Sequence, residues 1–310
     1  MRIGVYHLNQ LGDFLFSLPL LASLRVEYPE ATIVGVLPQQ LKPLTGHVPY
    51  LNEVWVRKPE GKFAFWKEIK SEKFDWWIAL SSSPESYFTA KSSDAHRRSG
   101  FHRTFFSSLL TESIPHEGPF NLQAVLNLRG FLNLPDVGND YRNLLSFPYP
   151  WLESEEERWI DFPFSQTIAI APGSSLRKTN KRWPSEQYSE LIQALYKKGQ
   201  KIILLGTQDE REYLEKIRLC SGSKAVNLAG SLSLQQLTYF LSKIRLLICN
   251  DSGAMHLASV FETPLVALFG PTSPGKTGPY NQHAFVLSAP SIQELSVERV
   301  LSAIERQLLP

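Results

Sequence analysis

The feature that most constrains this chain is a strand–helix alternation that runs, lapses and restarts. Arg2–Tyr6 reads as a buried strand and Phe14–Glu27 as an amphipathic helix that stops at Tyr28-Pro29. Strands follow at Thr32–Leu37, Glu53–Val56 and Trp76–Leu80, with a charged helix over Lys62–Lys70 between the last two. Strands separated by helices cannot pair as hairpins, so they imply a parallel sheet covered by helices. Between Ser146 and Gln166 the pattern lapses into proline punctuation, Phe147-Pro148-Tyr149-Pro150 and Asp161-Phe162-Pro163, as expected of an interdomain connection. It then restarts at Thr167–Ala171 and continues through Lys201–Leu205, Arg245–Cys249 and Leu265–Phe269. The expectation is an α/β chain with two Rossmann-like domains, 1–155 and 156–310. A final helix near Val297–Leu308 has packing back onto the N-terminal domain as one open destination.

A length of 310 residues suits two such domains. Hydrophobic residues make up 43% and charged residues 20%, with a formal net charge of +2, so no global charge argues for nucleic acid. Cys220 and Cys249 lie in apolar surroundings without metal-ligand spacing, and buried free thiols are expected. The opening residues do not read as a signal peptide. No apolar window approaches the roughly 18–20 residues of a membrane span, so a cytoplasmic protein is expected.

Chemistry concentrates in the turns after strands, where open parallel sheets form their ligand crevice. Leu11-Gly12-Asp13 follows the first strand. Gly12 permits a tight turn or a close backbone approach. Asp13 reads either as a helix N-cap, the better reading from local sequence, or as a general base. After the first strand of the second half comes Ala171-Pro172-Gly173-Ser174-Ser175, then Lys178, Lys181, Arg182 and Trp183-Pro184. Small hydroxyl residues on a glycine turn, followed by lysines, suit a phosphate better than they suit a solvated loop. It is not a Walker loop, since GxxxxGK[ST] is absent. Asn250-Asp251-Ser252-Gly253-Ala254-Met255-His256 follows a later strand, with Asp251 or Ser252 placed to cap a helix whose N–H groups suit a pyrophosphate. His256, one turn on, is by itself more often a packing residue. Phe269-Gly270-Pro271-Thr272-Ser273-Pro274 adds a third hydroxyl-rich turn.

Residues 8–29 (LNQLGDFLFSLPLLASLRVEYP), 170–184 (IAPGSSLRKTNKRWP) and 249–274 (CNDSGAMHLASVFETPLVALFGPTSP) together resemble glycosyltransferase family nine, the bacterial ADP-heptose:lipopolysaccharide heptosyltransferases. The second and third strings most resemble its heptosyltransferase II branch. The resemblance implies the GT-B architecture, two Rossmann-like domains facing across a cleft, and inverting transfer with no cofactor and no metal. It implies Asp13 as base and Lys181 as catalytic support near the donor phosphates. Gly12, Ser174, Ser175, Asp251, Ser252, Gly253 and His256 would line the donor site, with Glu210 toward the ribose and Leu232 near adenine. The implied partners are ADP-heptose or a related nucleotide sugar and a lipopolysaccharide core precursor, with peripheral contact at the cytoplasmic face of the inner membrane.

On the acceptor side, Lys91–Arg103 gathers Lys91, Arg97, Arg98 and Arg103 against the single acid Asp94. Charge count alone leaves a solvated loop equally open, and family likeness tips Arg97, Arg98 and Arg103 toward acceptor binding. Phe63, Phe65 and Trp66 could form a membrane-facing helix, but core packing is the favoured reading, as it is for Trp76 and Trp77. Competing functions are a GT-B-like nucleotide-sugar epimerase, which needs no acceptor, and a non-catalytic two-domain binding protein. A nicotinamide dehydrogenase is disfavoured because no GxGxxG follows the first strand.

Overall fold

In a computed structural model the described residues are 1–46, 48–57, 61–116, 118, 120–138, 161–173, 179–280 and 284–308. The chain divides into two compact units, Met1–Phe147 and Pro148–Pro310. The expected boundary at 155/156 falls in 139–160, outside the described residues.

Unit 1 carries β1 (Arg2–Tyr6), α1 (Leu11–Phe16), α2 (Leu18–Glu27), β2 (Thr32–Leu37), α3 (Lys42–Thr45), β3 (Glu53–Val56) and α4 (Lys62–Ser71). It continues with β4 (Trp76–Ala79), α5 (Pro84–Ser92), β5 (Arg97–His102), β6 (Glu112–Pro115) and α6 (Leu122–Phe131). Its six strands are all parallel in the order β3-β2-β1-β4-β5-β6. Chain direction through the sheet reverses at β1/β4, which is the topological switch point of a doubly wound sheet. The core there is tight. Trp76 and Trp77 are fully buried, as expected, and a Cβ on Gly4 would land on the Trp77 ring, so this register needs glycine.

Unit 2 carries β7 (Thr167–Ala171), α7 (Ser185–Lys197), β8 (Lys201–Leu204), α8 (Arg211–Cys220), β9 (Val226–Asn227) and α9 (Leu234–Lys243). After these come β10 (Leu246–Asn250), α10 (Gly253–Val260), β11 (Leu265–Phe269), α11 (Pro274–Thr277), β12 (Phe285–Ser288) and α12 (Val297–Leu308). The parallel order β12-β11-β10-β7-β8-β9 repeats that of unit 1, with its switch point at β7/β10. Five buried residues in each of β7, β10 and β11 explain why these strands were readable as unbroken apolar runs.

Three expectations change, and one alternative left open closes. The single helix over Phe14–Glu27 is two, parted at Ser17, because Pro19 has no N–H to donate back and stands at the start of the second helix. The stretch containing Arg97 and Arg98 is strand β5, not a loop; two half-buried arginines at its start hid the strand pattern. The final helix stays with unit 2: Val297, Val300, Ala303 and Ile304 put an apolar stripe into that unit's core beside α7, β11 and β12. Cys249 is buried as expected, but Cys220, the last residue of α8, is exposed.

Candidate donor and acceptor sites

The unit 2 switch point is built by polar groups at the carboxyl ends of β7, β8, β10 and β11. Asn250, fully buried at the end of β10, donates through Nδ2 to the Pro172 carbonyl (2.7 Å) and accepts from the Tyr188 hydroxyl (2.9 Å). This ties the turn after β7 to the turn after β10. A polar residue closing an otherwise apolar strand was the available signal for Asn250; nothing local marked Tyr188.

Lys181 and Asp251 meet here. The Lys181 ammonium donates to Asp251 Oδ2, with the two side chains 13% and 7% exposed, and Thr277 Oγ1 donates to the same oxygen at 3.2 Å. Asp251 therefore does not cap α10. Ser252 is the N-cap in extended backbone, yet its hydroxyl makes no capping bond. Ser252 Oγ and Thr272 Oγ1, in the turns that close neighbouring strands β10 and β11, are buried with no hydrogen-bond partner among the described residues. A buried hydroxyl without a partner is costly, and two in one region suit a polar ligand. Gly253 opens the helix, and its N–H with those of the next residues has no side-chain cap.

His256 lies on the same helix, 7% exposed, its ring 6.3 Å from Tyr280. Burial lowers its pKa to about 4, Asp251 pulling up and Lys181 pushing down, so the imidazole is neutral at pH 7.

Glu210 closes a second cluster. Its Oε2 accepts from the Thr207 backbone N–H (2.9 Å) and hydroxyl (3.1 Å), and its Oε1 faces the Arg182 guanidinium (3.5 Å). Arg182 also stacks on Tyr213 at 4.9 Å. Any side chain at Gly173 would collide with the Glu210 carboxylate, so glycine lets the two loops close. Leu232 is half-buried, just before the Ser233 cap of α9. Trp183 is fully buried and donates from Nε1 to the Leu295 carbonyl at 2.8 Å, anchoring the end of the lysine-containing loop. Ser174, Ser175 and Lys178 lie outside the described residues.

In unit 1, Asp13 is half-buried in the first turn of α1. The N-cap is Gln10, which corrects the capping reading of Asp13. Gly12 is buried with helical backbone, so it makes no turn; the helix begins one residue earlier. Beside the ends of β1 and β3, Arg57 donates to the Tyr6 hydroxyl (3.1 Å) and the Leu8 carbonyl (3.2 Å), and its guanidinium stacks on the Tyr6 ring at 4.7 Å. Tyr6 in turn donates to Glu85 (3.3 Å), and burial raises its pKa to about 12. Sequence reading missed this cluster because its members are scattered over 79 positions.

The expected acceptor patch separates. Arg97 bonds Glu112 at 2.6 Å and stacks over Trp76 at 3.9 Å. Arg98 donates to the Leu109 (2.9 Å) and Ala95 (2.6 Å) carbonyls. Both guanidinium groups hold the start of β5, while Arg103 is exposed beyond its far end, about 20 Å of strand away. Arg97 Nε and Arg98 Nε and Nη1 are thus engaged within the fold, at the opposite end of β5 from Arg103.

With this geometry in hand, comparisons with known proteins are informative. The model of the family described as "Glycosyltransferase family 9 (heptosyltransferase)" matches residues 62–304. Lipooligosaccharide heptosyltransferase 2 of Haemophilus ducreyi is 27% identical over 93% of this chain and 88% of that protein. The solved structure of E. coli ADP-heptose lps heptosyltransferase II superposes with a TM-score of 0.85 at 23% identity, over 99% of this chain and 98% of the other, and so speaks to fold. UDP-GlcNAc 2-epimerase from Methanocaldococcus jannaschii matches more weakly, with a TM-score of 0.59 at 12% identity over 100% of this chain and 93% of the other. The expected GT-B fold class with two Rossmann-like domains is borne out. The chain belongs to glycosyltransferase family 9, the heptosyltransferase family, and is a glycosyltransferase.

Proposed function

We propose that this protein transfers heptose from ADP-heptose, with inversion, to a lipopolysaccharide inner-core acceptor. The observation that carries the donor half is the unit 2 switch point, where Lys181, two hydroxyls unsatisfied among the described residues and a helix end without a side-chain cap suit a pyrophosphate. Support for the acceptor half is the name of the Haemophilus ducreyi relative, a lipooligosaccharide heptosyltransferase.

In this reading an acceptor hydroxyl oxygen attacks the anomeric carbon in line. Its new C–O bond forms as the bond from that carbon to the β-phosphate oxygen breaks. The Asp13 carboxylate takes the hydroxyl proton, and the electron pair leaves with ADP. The charge that develops on the leaving phosphate is met by Lys181, turning from Asp251, and by the N–H groups of Gly253 and its neighbours. No metal ion is needed for this charge balance. Ser174 and Ser175, by their place in the sequence after β7, are assigned to the donor phosphates. Glu210 keeps lone pairs free to accept a ribose hydroxyl beside its bonds to Thr207 and Arg182, and Leu232 packs near adenine. His256, held neutral, contributes shape and a hydrogen bond without repelling Lys181. Of the three cations expected on the acceptor side, Arg103 is the exposed one.

The test is calorimetric titration of ADP, UDP and GDP into the protein without added metal, followed by transfer assays with ADP-heptose and truncated lipopolysaccharide. ADP preference and acceptor-dependent product are expected. Preference for UDP or GDP overturns the donor, and a sugar-nucleotide product formed without acceptor favours epimerase chemistry.

A further inference from the structure

The aromatic side chains of α4, α5 and the turn after β5 do not all face inward, contrary to the core-packing expectation for α4. Phe65 is buried, but Phe63 is 83% exposed. Ring contacts run without a break from Phe63 to Trp66 (5.5 Å), to Phe88 (6.1 Å), to Phe106 (5.5 Å) and to Phe105 (6.1 Å). Phe105 is 88% exposed, Phe88 40% and Phe106 37%. Isolated exposed apolar side chains are ordinary, whereas a continuous run of them marks a contact surface. This run is held firmly from beneath. Trp66 Nε1 donates to Thr89 Oγ1 at 3.0 Å, and Ser107 Oγ donates to the Thr104 carbonyl at 2.6 Å, fixing the turn that carries Phe105 and Phe106.

The margin of the run is basic. Lys67 and Lys91 on the same two helices, and Arg103 just before Phe105, are exposed. Lys62 and Lys70 join them, paired with Glu85 (3.2 Å) and Asp94 (3.8 Å). Glu68 is the remaining acid on α4, so the cations outnumber the acids. Protein interfaces concentrate their aromatic anchors centrally, with a polar rim. Here the two most exposed rings, Phe63 and Phe105, stand at the ends of the run and the more buried ones between them.

We infer that this face docks the protein reversibly on a bilayer surface that contains anionic lipid. Phenylalanine and tryptophan favour the boundary between headgroups and acyl chains, and a few lysines beside them draw the face to negative headgroups. Among the described residues no helix is long and apolar enough to cross a membrane, so contact of this kind is peripheral. The biological purpose rests on the functional reading above, since a lipid-linked acceptor lies in such a surface. Docking itself needs neither donor nor acceptor.

The experiment is co-sedimentation of the full chain with vesicles of phosphatidylcholine alone or mixed with phosphatidylglycerol, at low and high salt. The mixed vesicles should retain the protein more strongly, with salt weakening the binding. Phe63→Ser/Phe105→Ser should lower partitioning roughly tenfold or more, as expected for two rings withdrawn from an apolar phase. Lys67→Glu/Lys91→Glu should lower binding to the mixed vesicles but not to phosphatidylcholine. Melting curves and ADP affinity should match the parent in both variants, because these side chains are exposed. Equal vesicle binding by parent and Phe63→Ser/Phe105→Ser overturns the inference. So does parent self-association in solution that this variant loses, which would make the face a contact between copies. If vesicle binding follows the rings while no nucleotide binds, the functional reading fails and the docking inference stands.

Discussion

The two units share one strand order, yet the helix that follows the strand across the switch point is finished differently in each. In unit 1 that helix is α5. Ser83 caps it by accepting from the Ser86 N–H at 3.3 Å, Pro84 removes one orphan donor, and Glu85 supplies negative charge in the first turn. In unit 2 it is α10, where Ser252 makes no capping bond and the first turn holds no acid. Unit 1 caps its helix end with a side chain of its own sequence, whereas the end of α10 has no side-chain cap among the described residues. Equivalent topology thus does not give equivalent helix ends; the residues at the caps differ.

The largest expected effect tests the division of labour between units. Asp13→Ala should lower transfer by about 10²–10⁴-fold, the usual contribution of a general base, while ADP affinity stays within a few fold. Transfer kinetics beside calorimetry reads both, and a parallel loss of ADP affinity would place Asp13 in donor binding instead. Next, Ala254→Glu gives α10 the acid that α5 has in Glu85. ADP affinity should fall roughly tenfold or more through repulsion of the phosphates, with the melting temperature kept or raised. Unchanged affinity would break the comparison.

Each unit also buries a neutral histidine near its first-strand or switch-point turn, and acid should unsettle both. Burial lowers His256 from 6.5 to about 4, and lowers His7, whose Nδ1 lies 3.0 Å from Ser17 Oγ, to about 3. Because the folded pKa values are depressed, the unfolded chain binds more protons below pH 6.5. The stability from keeping each imidazole neutral is full above that pH and is lost progressively toward 4 for His256 and 3 for His7. Melting temperatures across this range should fall less steeply in His256→Gln than in the parent. The smallest effect separates the caps directly. Ser83→Ala should cost about 1 kcal/mol in urea unfolding with ADP affinity intact. Ser252→Ala should cost little stability and weaken ADP binding.

Much of the fold was legible because buried parallel strands announce themselves. Ile168, Ile170, Leu246, Ile248 and their neighbours form apolar runs that only a core can hold. Where strand β5 begins with Arg97 and Arg98 the signal failed, since those charges are accommodated by Glu112, Trp76 and two carbonyls from elsewhere in the chain. The expected helix over Phe14–Glu27 is interrupted at Ser17, just ahead of Pro19, a break that apolar periodicity does not mark.

The sequence by itself determined the family, the doubly wound units and the turns that carry the candidate donor site, because these depend on local pattern and short motifs. Only the tertiary structure decided what each charged or aromatic side chain meets. It paired Lys181 with Asp251 across 70 positions, left the Ser252 and Thr272 hydroxyls without partners among the described residues, drew Arg97 and Arg98 into the fold and linked Phe63 to Phe105 in one exposed run. Hydrogen bonds and ring contacts form between residues close in space, and local periodicity does not report which distant segments packing will bring together.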